Sequence, residues 1–242
     1  MSESKPKYVI AYWEHRELIE PFRLLLKYRG EPFEDRVYVQ GDPPECSRRE
    51  FVDVRDQLGL AFPGLPYLFD GDNIKMTQSK AMICHLGFKF GMMGSNMIDT
   101  SFVLMLIDQA KDLRSELSRI CYYPTQGDFE GEKRTFIKVY LPGQLHQWEC
   151  FLAERIHNNR WLVAGNEPTV ADFVLFEYVD QCLVLAPSAL SDFPLLMSYM
   201  QQFRQIPALA IYLKEEHHRR PINGKMARFG NTVVEYRSKT NC

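Results

Sequence analysis

The sequence reads as a mixed α/β unit followed by an all-helical one. Three observations carry this. Up to about residue 90 short strand-like runs alternate with helical stretches, with frequent Gly and Pro between them. Beyond that point almost every segment follows the helical period. Between the two lies a turn-rich stretch, Gly91-Met92-Met93-Gly94-Ser95-Asn96. The expected division is therefore 1–90 for the mixed unit, 91–97 for a linker and 98–242 for the helical unit. A chain of 242 residues suits two modest domains, and 45% hydrophobic with 13% aromatic residues excludes disorder as the main state.

Each element has a local reason. Tyr8 to Trp13 is nearly all apolar, as expected of a strand buried on both faces. In the next helix Phe22, Leu25 and Leu26 share one face, Pro21 suits the first turn and Gly30 supplies the stop. Phe33 to Val39 is the second strand. Gly41-Asp42-Pro43-Pro44-Glu45-Cys46-Ser47 is turn chemistry and must be a loop. A short polar helix over Phe51 to Gln57 leads to a hairpin, Tyr67 to Asp70 and Ile74 to Thr77 around Gly71-Asp72-Asn73. Gln78 to Phe90 closes this part as a helix. Farther on, Phe102, Leu106, Leu113 and Leu117 mark a long helix that Pro124 stops near Cys121 or Tyr122. Glu132 to Asn158 is another, with a break or kink forced by Pro142-Gly143. Thr169 and Asp172 form a capping pair at the head of a buried helix running to about Leu185.

Charge and cysteines narrow the partners. Lys and Arg number 29 against 31 acidic residues, so the summed field of net −2 invites neither nucleic acid nor an anionic membrane. No run approaches the roughly 20 apolar residues of a membrane span, and the polar N-terminus lacks a signal-peptide pattern. The six cysteines show no C-x-x-C and no zinc-type spacing, which reads as reduced cytosolic thiols and no metal site. His217-His218-Arg219-Arg220 reads as solvated charge, because adjacent residues do not share a helix face.

Strand, helix, strand, hairpin, helix, with a proline leading into the hairpin, is a thioredoxin-like arrangement. The first helix lacks a redox cysteine pair, and the reactive group near the end of the first strand is Tyr12. From Tyr8 to about Asn231 the chain resembles the glutathione S-transferases, and within them the mu class. Ala11-Tyr12-Trp13 with Arg16, Gly41-Asp42, Leu58-Gly59-Leu60, Phe62-Pro63, Leu65-Pro66-Tyr67, Thr77-Gln78-Ser79 and Cys121-Tyr122 carry the match.

The resemblance implies a cytoplasmic homodimeric enzyme that joins the thiolate of glutathione, its co-substrate, to small hydrophobic electrophiles without a cofactor. Tyr12 is implied as the donor to the sulfur. The free thiol has a pKa of about 8.5, and lowering it by about two units takes roughly 2.7 kcal/mol. One hydrogen bond to an anion, worth about 1.5 to 3 kcal/mol, nearly supplies that. Gln78 and Ser79 are implied to hold the γ-glutamyl carboxylate, where a helix N-terminus also offers free N–H groups. Leu65 and cis Pro66 are implied to pair with the cysteinyl backbone, Trp13 and Arg55 to hold the glycyl carboxylate, and Asp112 to reach the γ-glutamyl amino group from the partner subunit. Leu18 and Tyr122 fall on the electrophile side with Asn223-Gly224; Tyr122 either bonds substrate or gates product release.

Four positions depart from the mu pattern. Phe51 stands for a Trp, Gly64 for an Asn, Glu17 for a Gly beside the site, and Cys84 for an interface Arg. Phe62 keeps the aromatic that inserts into the neighbouring subunit; its plainer reading is a local core residue beside Pro63. Rival functions on the same fold are a weakly catalytic carrier of hydrophobic ligands, a glutathione-dependent isomerase, and an interaction scaffold. The scaffold predicts loss of the Tyr and of the Gln-Ser pair, and both are present.

Overall fold

The alternation of side chains along the first strand organises the sheet and everything packed on it. The computed structural model describes residues 7–155, 161–163 and 165–232. Strand β1 (Tyr8–Trp13) sits inside a four-stranded sheet of order β2-β1-β3-β4, with β2 at Phe33–Tyr38, β3 at Tyr67–Asp70 and β4 at Ile74–Thr77. β1 runs parallel to β2 and antiparallel to β3, with Tyr12 opposite Val37 and Ala11 opposite Tyr67. Because successive side chains point to opposite faces, Tyr8, Ile10 and Tyr12 join the main core, while Ala11 packs with Tyr38, Phe51, Leu60 and Tyr67 on the other face.

Helix α1 (Glu20–Arg29) ends at Gly30, whose φ of 65° is the left-handed turn that glycine adopts without strain. The expected helix over Phe51 to Gln57 is instead two short turns, α2 (Arg49–Val52) and a 3₁₀ turn at Arg55–Gln57. Too few apolar residues share a face there for a continuous helix to gain by burial. The hairpin has the expected bounds, and Leu65–Pro66 is cis. Helix α3 (Ser79–Lys89) follows, with Gln78 as its N-cap residue at φ 71°.

Helix α4 (Met97–Tyr122) is capped by Asn96, whose side chain accepts the N–H groups of Ile98 and Asp99. Helices α5 (Phe129–Thr135) and α6 (Leu141–Arg155) flank a π-helical stretch, Phe136–Tyr140. The expected break at Pro142 is thus met by a widened turn just before the proline, which accommodates its missing N–H without ending the helix. The expected end of this helix at Asn158 lies outside the described residues. Helix α7 (Val170–Leu185) is buried along nearly its whole length. Asp172 closes its capping box, accepting the Thr169 backbone N–H and hydroxyl, each at 2.8 Å. Helices α8 (Pro194–Arg204) and α9 (Pro207–Glu215) complete the helical part. One apolar core joins the sheet's inner face to these helices, with α4 and α7 at its centre. The architecture is a thioredoxin-like α/β layer followed by an all-α bundle.

Candidate active site

The loop after β1 places the chemistry. Its backbone is held from three sides: Arg16 N–H donates to Pro221 O at 2.8 Å, Gln181 Nε2 to Glu17 O at 3.0 Å and Arg23 Nη1 to His15 O at 3.3 Å. Tyr12, on the inward face of β1, is only 6% exposed, and its hydroxyl donates to Glu17 Oε2 at 3.0 Å. Burial, with Glu17 next in weight, pushes its phenol pKa well above the usual value, so the hydroxyl keeps its proton at neutral pH.

Glu17 adopts a φ of 26°, a left-handed conformation suited to glycine. Its other carboxylate oxygen lies 3.3 Å from Arg114 Nη2. Arg114 is fully buried on α4 and donates to Asn223 Oδ1 at 2.7 Å; its Nε and Nη1 have no hydrogen-bond partner among the described residues. His15 Nδ1 is 3.4 Å from Glu17, but burial lowers the imidazole to about 4, so the ring is neutral at pH 7 and the contact is no ion pair. Tyr122 accepts the Gly224 N–H at 2.6 Å. Gly224 leaves room there: a Cβ would lie 2.6 Å from Gln40 Oε1 and 2.9 Å from His15 Nε2, so a larger residue would displace those side chains.

Beside this polar group runs a groove of about 450 Å³ lined by Leu18, the Phe62–Pro66 turn, Thr77, Gln78, Ser79 and Lys111. The first turn of α3 opens on it, and free N–H groups there favour an anion, as does Lys111. Of the sequence candidates, Leu18, Leu65, Pro66, Gln78 and Ser79 share this groove. Tyr12 and Tyr122 stand on the polar side, both near Glu17 and Arg114.

The remaining candidates are elsewhere. Trp13 points to the opposite sheet face, edge-on to Phe51 with ring centroids 6.0 Å apart. Arg55 is exposed, 3.5 Å from Asp56. Asp112 lies outside the groove in this chain, and its carbonyl accepts the Tyr140 hydroxyl at 3.2 Å.

Three features went unseen in the sequence. Arg114 precedes Tyr122 by eight residues on one helix, close to two turns and therefore on the same face; that spacing was the available signal. His15 and Gln181 left no pattern. His217 corrects the reading of the 217–220 run as solvated charge: it is fully buried and bonded to Glu177 at 2.8 Å, while Arg220 pairs with Asp35 at 2.8 Å. Consecutive residues face different ways, so one turns into the core as its neighbours turn out.

A thioredoxin-like sheet with a buried tyrosine at the end of its first strand, an anion-receptive helix start and an attached helical bundle defines a glutathione-type transferase. Comparison with known proteins agrees. Residues 111–216 match the family model described as glutathione S-transferase, C-terminal domain. Human glutathione S-transferase Mu 3 is 36% identical over 227 residues, 93% of this chain and 96% of the relative. Mouse glutathione S-transferase Mu 5 is 34% identical over 232 residues, covering 96% and 99%. Among solved structures, the glutathione S-transferase Blo t 8 superposes with a TM-score of 0.82 at 33% identity, covering 92% of this chain and 99% of that one. The Pi-class enzyme of Onchocerca volvulus gives 0.80 at 32%, covering 92% and 100%. The chain belongs to the glutathione S-transferase family.

Proposed function

We propose that the protein conjugates glutathione to hydrophobic electrophiles, with Tyr12 donating a hydrogen bond from its hydroxyl to the glutathione sulfur. The observation that carries this is Tyr12 itself: buried, protonated, and bonded to Glu17, whose neighbour Leu18 lines a groove that ends at a helix N-terminus. Glutathione is an anionic tripeptide, and the groove offers what it needs. The N–H groups at Gln78 and Ser79 with Lys111 nearby suit the γ-glutamyl carboxylate. The backbone at Leu65 and Pro66 suits strand-like pairing with the cysteinyl unit. Trp13 and Arg55 take the glycyl carboxylate in this reading, with Arg55 reaching from its exposed position, and Asp112 serves the site of the partner subunit.

The sulfur then lies within reach of Tyr12, and the thiolate attacks an electrophile held by Leu18 and Tyr122. Glutathione is a co-substrate here, and no resident cofactor enters the reaction. Residues 1–90 form the glutathione-binding unit, 91–97 the linker and 98–242 the helical unit that completes the electrophile side. The working form is a cytoplasmic homodimer that engages neither nucleic acid nor membrane; no helix among the described residues is long and apolar enough to cross one.

The test is an ultraviolet titration of bound glutathione's thiolate in wild type and Tyr12→Phe. A thiol pKa clearly below its free value that rises toward it in Tyr12→Phe supports the assignment. An identical value in both proteins removes Tyr12 from the reaction.

A further inference from the structure

Tyr12 has one hydroxyl proton, and in the resting structure Glu17 Oε2 accepts it at 3.0 Å. A glutathione sulfur that needs the same proton must displace a carboxylate. Two anions cannot both be served by one O–H, and a like charge within about 4–6 Å disfavours ionisation of the thiol. Taken alone, Glu17 therefore opposes the thiolate that Tyr12 is placed to stabilise.

Its surroundings supply the remedy. The backbone at Glu17 is held by Gln181 Nε2 at 3.0 Å, which leaves the side chain as the part able to turn. Arg114 waits on the far side, with Nη2 already 3.3 Å from Glu17 Oε1. Two further buried donors of that guanidinium, Nε and Nη1, have no hydrogen-bond partner among the described residues. Unused donors on a buried cation are costly. Each of the two shares an edge of the guanidinium with Nη2, so a carboxylate that turned from Tyr12 would add one of them to its Nη2 contact, completing the two-bond geometry that arginine and carboxylate favour.

The other titratable groups here stay neutral at pH 7. His15, from the same loop, is lowered by burial to about 4. Tyr122 and Cys121 on α4, and Tyr178 on α7, are all raised by burial. The charges acting on the Tyr12 hydroxyl are those of Glu17 and Arg114.

We propose that Arg114, Glu17 and Tyr12 form a hydrogen-bond switch that sets the acidity of the thiol of bound glutathione. With Glu17 on Tyr12, the thiol keeps its proton. With Glu17 on Arg114, the Tyr12 O–H turns to the sulfur, the thiol proton leaves to solvent, and the thiolate stands ready. No covalent bond other than S–H breaks, and the Tyr12 O–H stays intact in both states. Glu17 and Arg114 are positioning residues in this scheme, which rests on Tyr12 as the donor to sulfur.

The experiment is the same thiolate titration on the glutathione complex of the full chain, extended to Glu17→Gln, Arg114→Met and the double variant. Gln keeps the shape at position 17 and removes the charge, leaving a weaker acceptor for Tyr12. Glu17→Gln should lower the thiol pKa by one unit or more, a tenfold rise in thiolate at a fixed pH below it. Arg114→Met should raise the thiol pKa with Glu17 present and change it little in the Glu17→Gln background. An unchanged or higher pKa in Glu17→Gln overturns the switch, as does an equal effect of Arg114→Met in both backgrounds. If Arg114→Met does not fold, the Glu17→Gln titration decides alone. Failure of the tyrosine assignment shows up separately, as a Tyr12→Phe variant with unaltered thiol pKa.

Discussion

Arg16 and Glu177, 161 positions apart, form a fully buried two-bond ion pair, Nε to Oε1 at 2.9 Å and Nη2 to Oε2 at 3.0 Å. The pair ties the loop carrying His15 and Glu17 to the buried helix α7. Asp180 joins it at 2.6 Å from Arg16 Nη2, and His217 at 2.8 Å from Glu177. Glu177, Asp180 and His217 bring ligand-type atoms within 4.8 Å of one another. The guanidinium of Arg16 already supplies the positive charge that such a cluster demands. Breaking a buried pair from one side leaves an uncompensated charge and costs about 3–5 kcal/mol. Arg16→Met should therefore lower the unfolding free energy by about that much, measured by urea denaturation at pH 7. A loss below about 1 kcal/mol would show that the cluster holds without its arginine.

Acid should weaken the same region through Glu20. Burial alone would raise this carboxyl, but Arg23, His217 and Arg16 outweigh it and bring it from 4.5 to about 2. A folded-state pKa below the unfolded one gives stability that is complete above about pH 4.5 and is lost as pH falls toward about 2. Urea midpoints should fall across that window. In Glu20→Gln the fall should be shallower, with Asp70 and Asp180 retaining part of it because both are also held below their usual values. Equal slopes in the two proteins would remove Glu20 from the acid response.

Elements whose signal is local were legible in the sequence. The hairpin at 67–77, the Gly30 stop and the Thr169–Asp172 cap each depend on residues within a few positions, and the structure has all three. What was less legible depends on distant contacts or on competition between neighbours. Pro142 signals a disturbance, but whether the helix breaks or widens is decided by the packing of Phe136, Leu141 and Leu145, all buried. His217 is polar in a charged run, and α7 arriving with Glu177 makes its burial favourable. The site divides in the same way. Tyr12, Gln78 and Pro66 came with a motif around them, whereas Arg114 acts through Glu17 and Asn223, 97 and 109 positions away. Trp13 is adjacent to Tyr12 yet faces the other side of the sheet, as strand alternation requires.

Gln78 should separate binding from chemistry. It lines the groove at the head of α3, with φ 71° and ψ 102°. A hydrogen bond to a charged ligand group is worth about 1.5–3 kcal/mol, or roughly 10- to 100-fold in affinity. Gln78→Gly relieves the positive φ and removes the side chain. The expected result is a KM for glutathione raised at least about tenfold with kcat within about twofold, the signature of lost uniform binding. A fall in kcat with KM unchanged would place Gln78 in the transition state instead.

Phe62 should control assembly. It is 76% exposed at the rim of the groove beside α3, so the local-core reading of this residue does not hold within one chain. Phe88, Met97 and Ile98 are exposed as well, at 63%, 83% and 67%. A large aromatic left in water forgoes about 1.5–3 kcal/mol that burial would return, and central aromatics commonly dominate interface energy. In the proposed homodimer, Phe62 inserts into the second copy, and Asp112 of the partner subunit reaches the glutathione amino group. Phe62→Ser should then give a monomer by sedimentation velocity at micromolar concentration, where wild type should sediment as a dimer. Its KM for glutathione should rise together with that of Asp112→Asn, which stays dimeric. A Phe62→Ser protein that remains a dimer takes Phe62 out of the interface. A monomer with wild-type KM takes the partner's Asp112 out of the site.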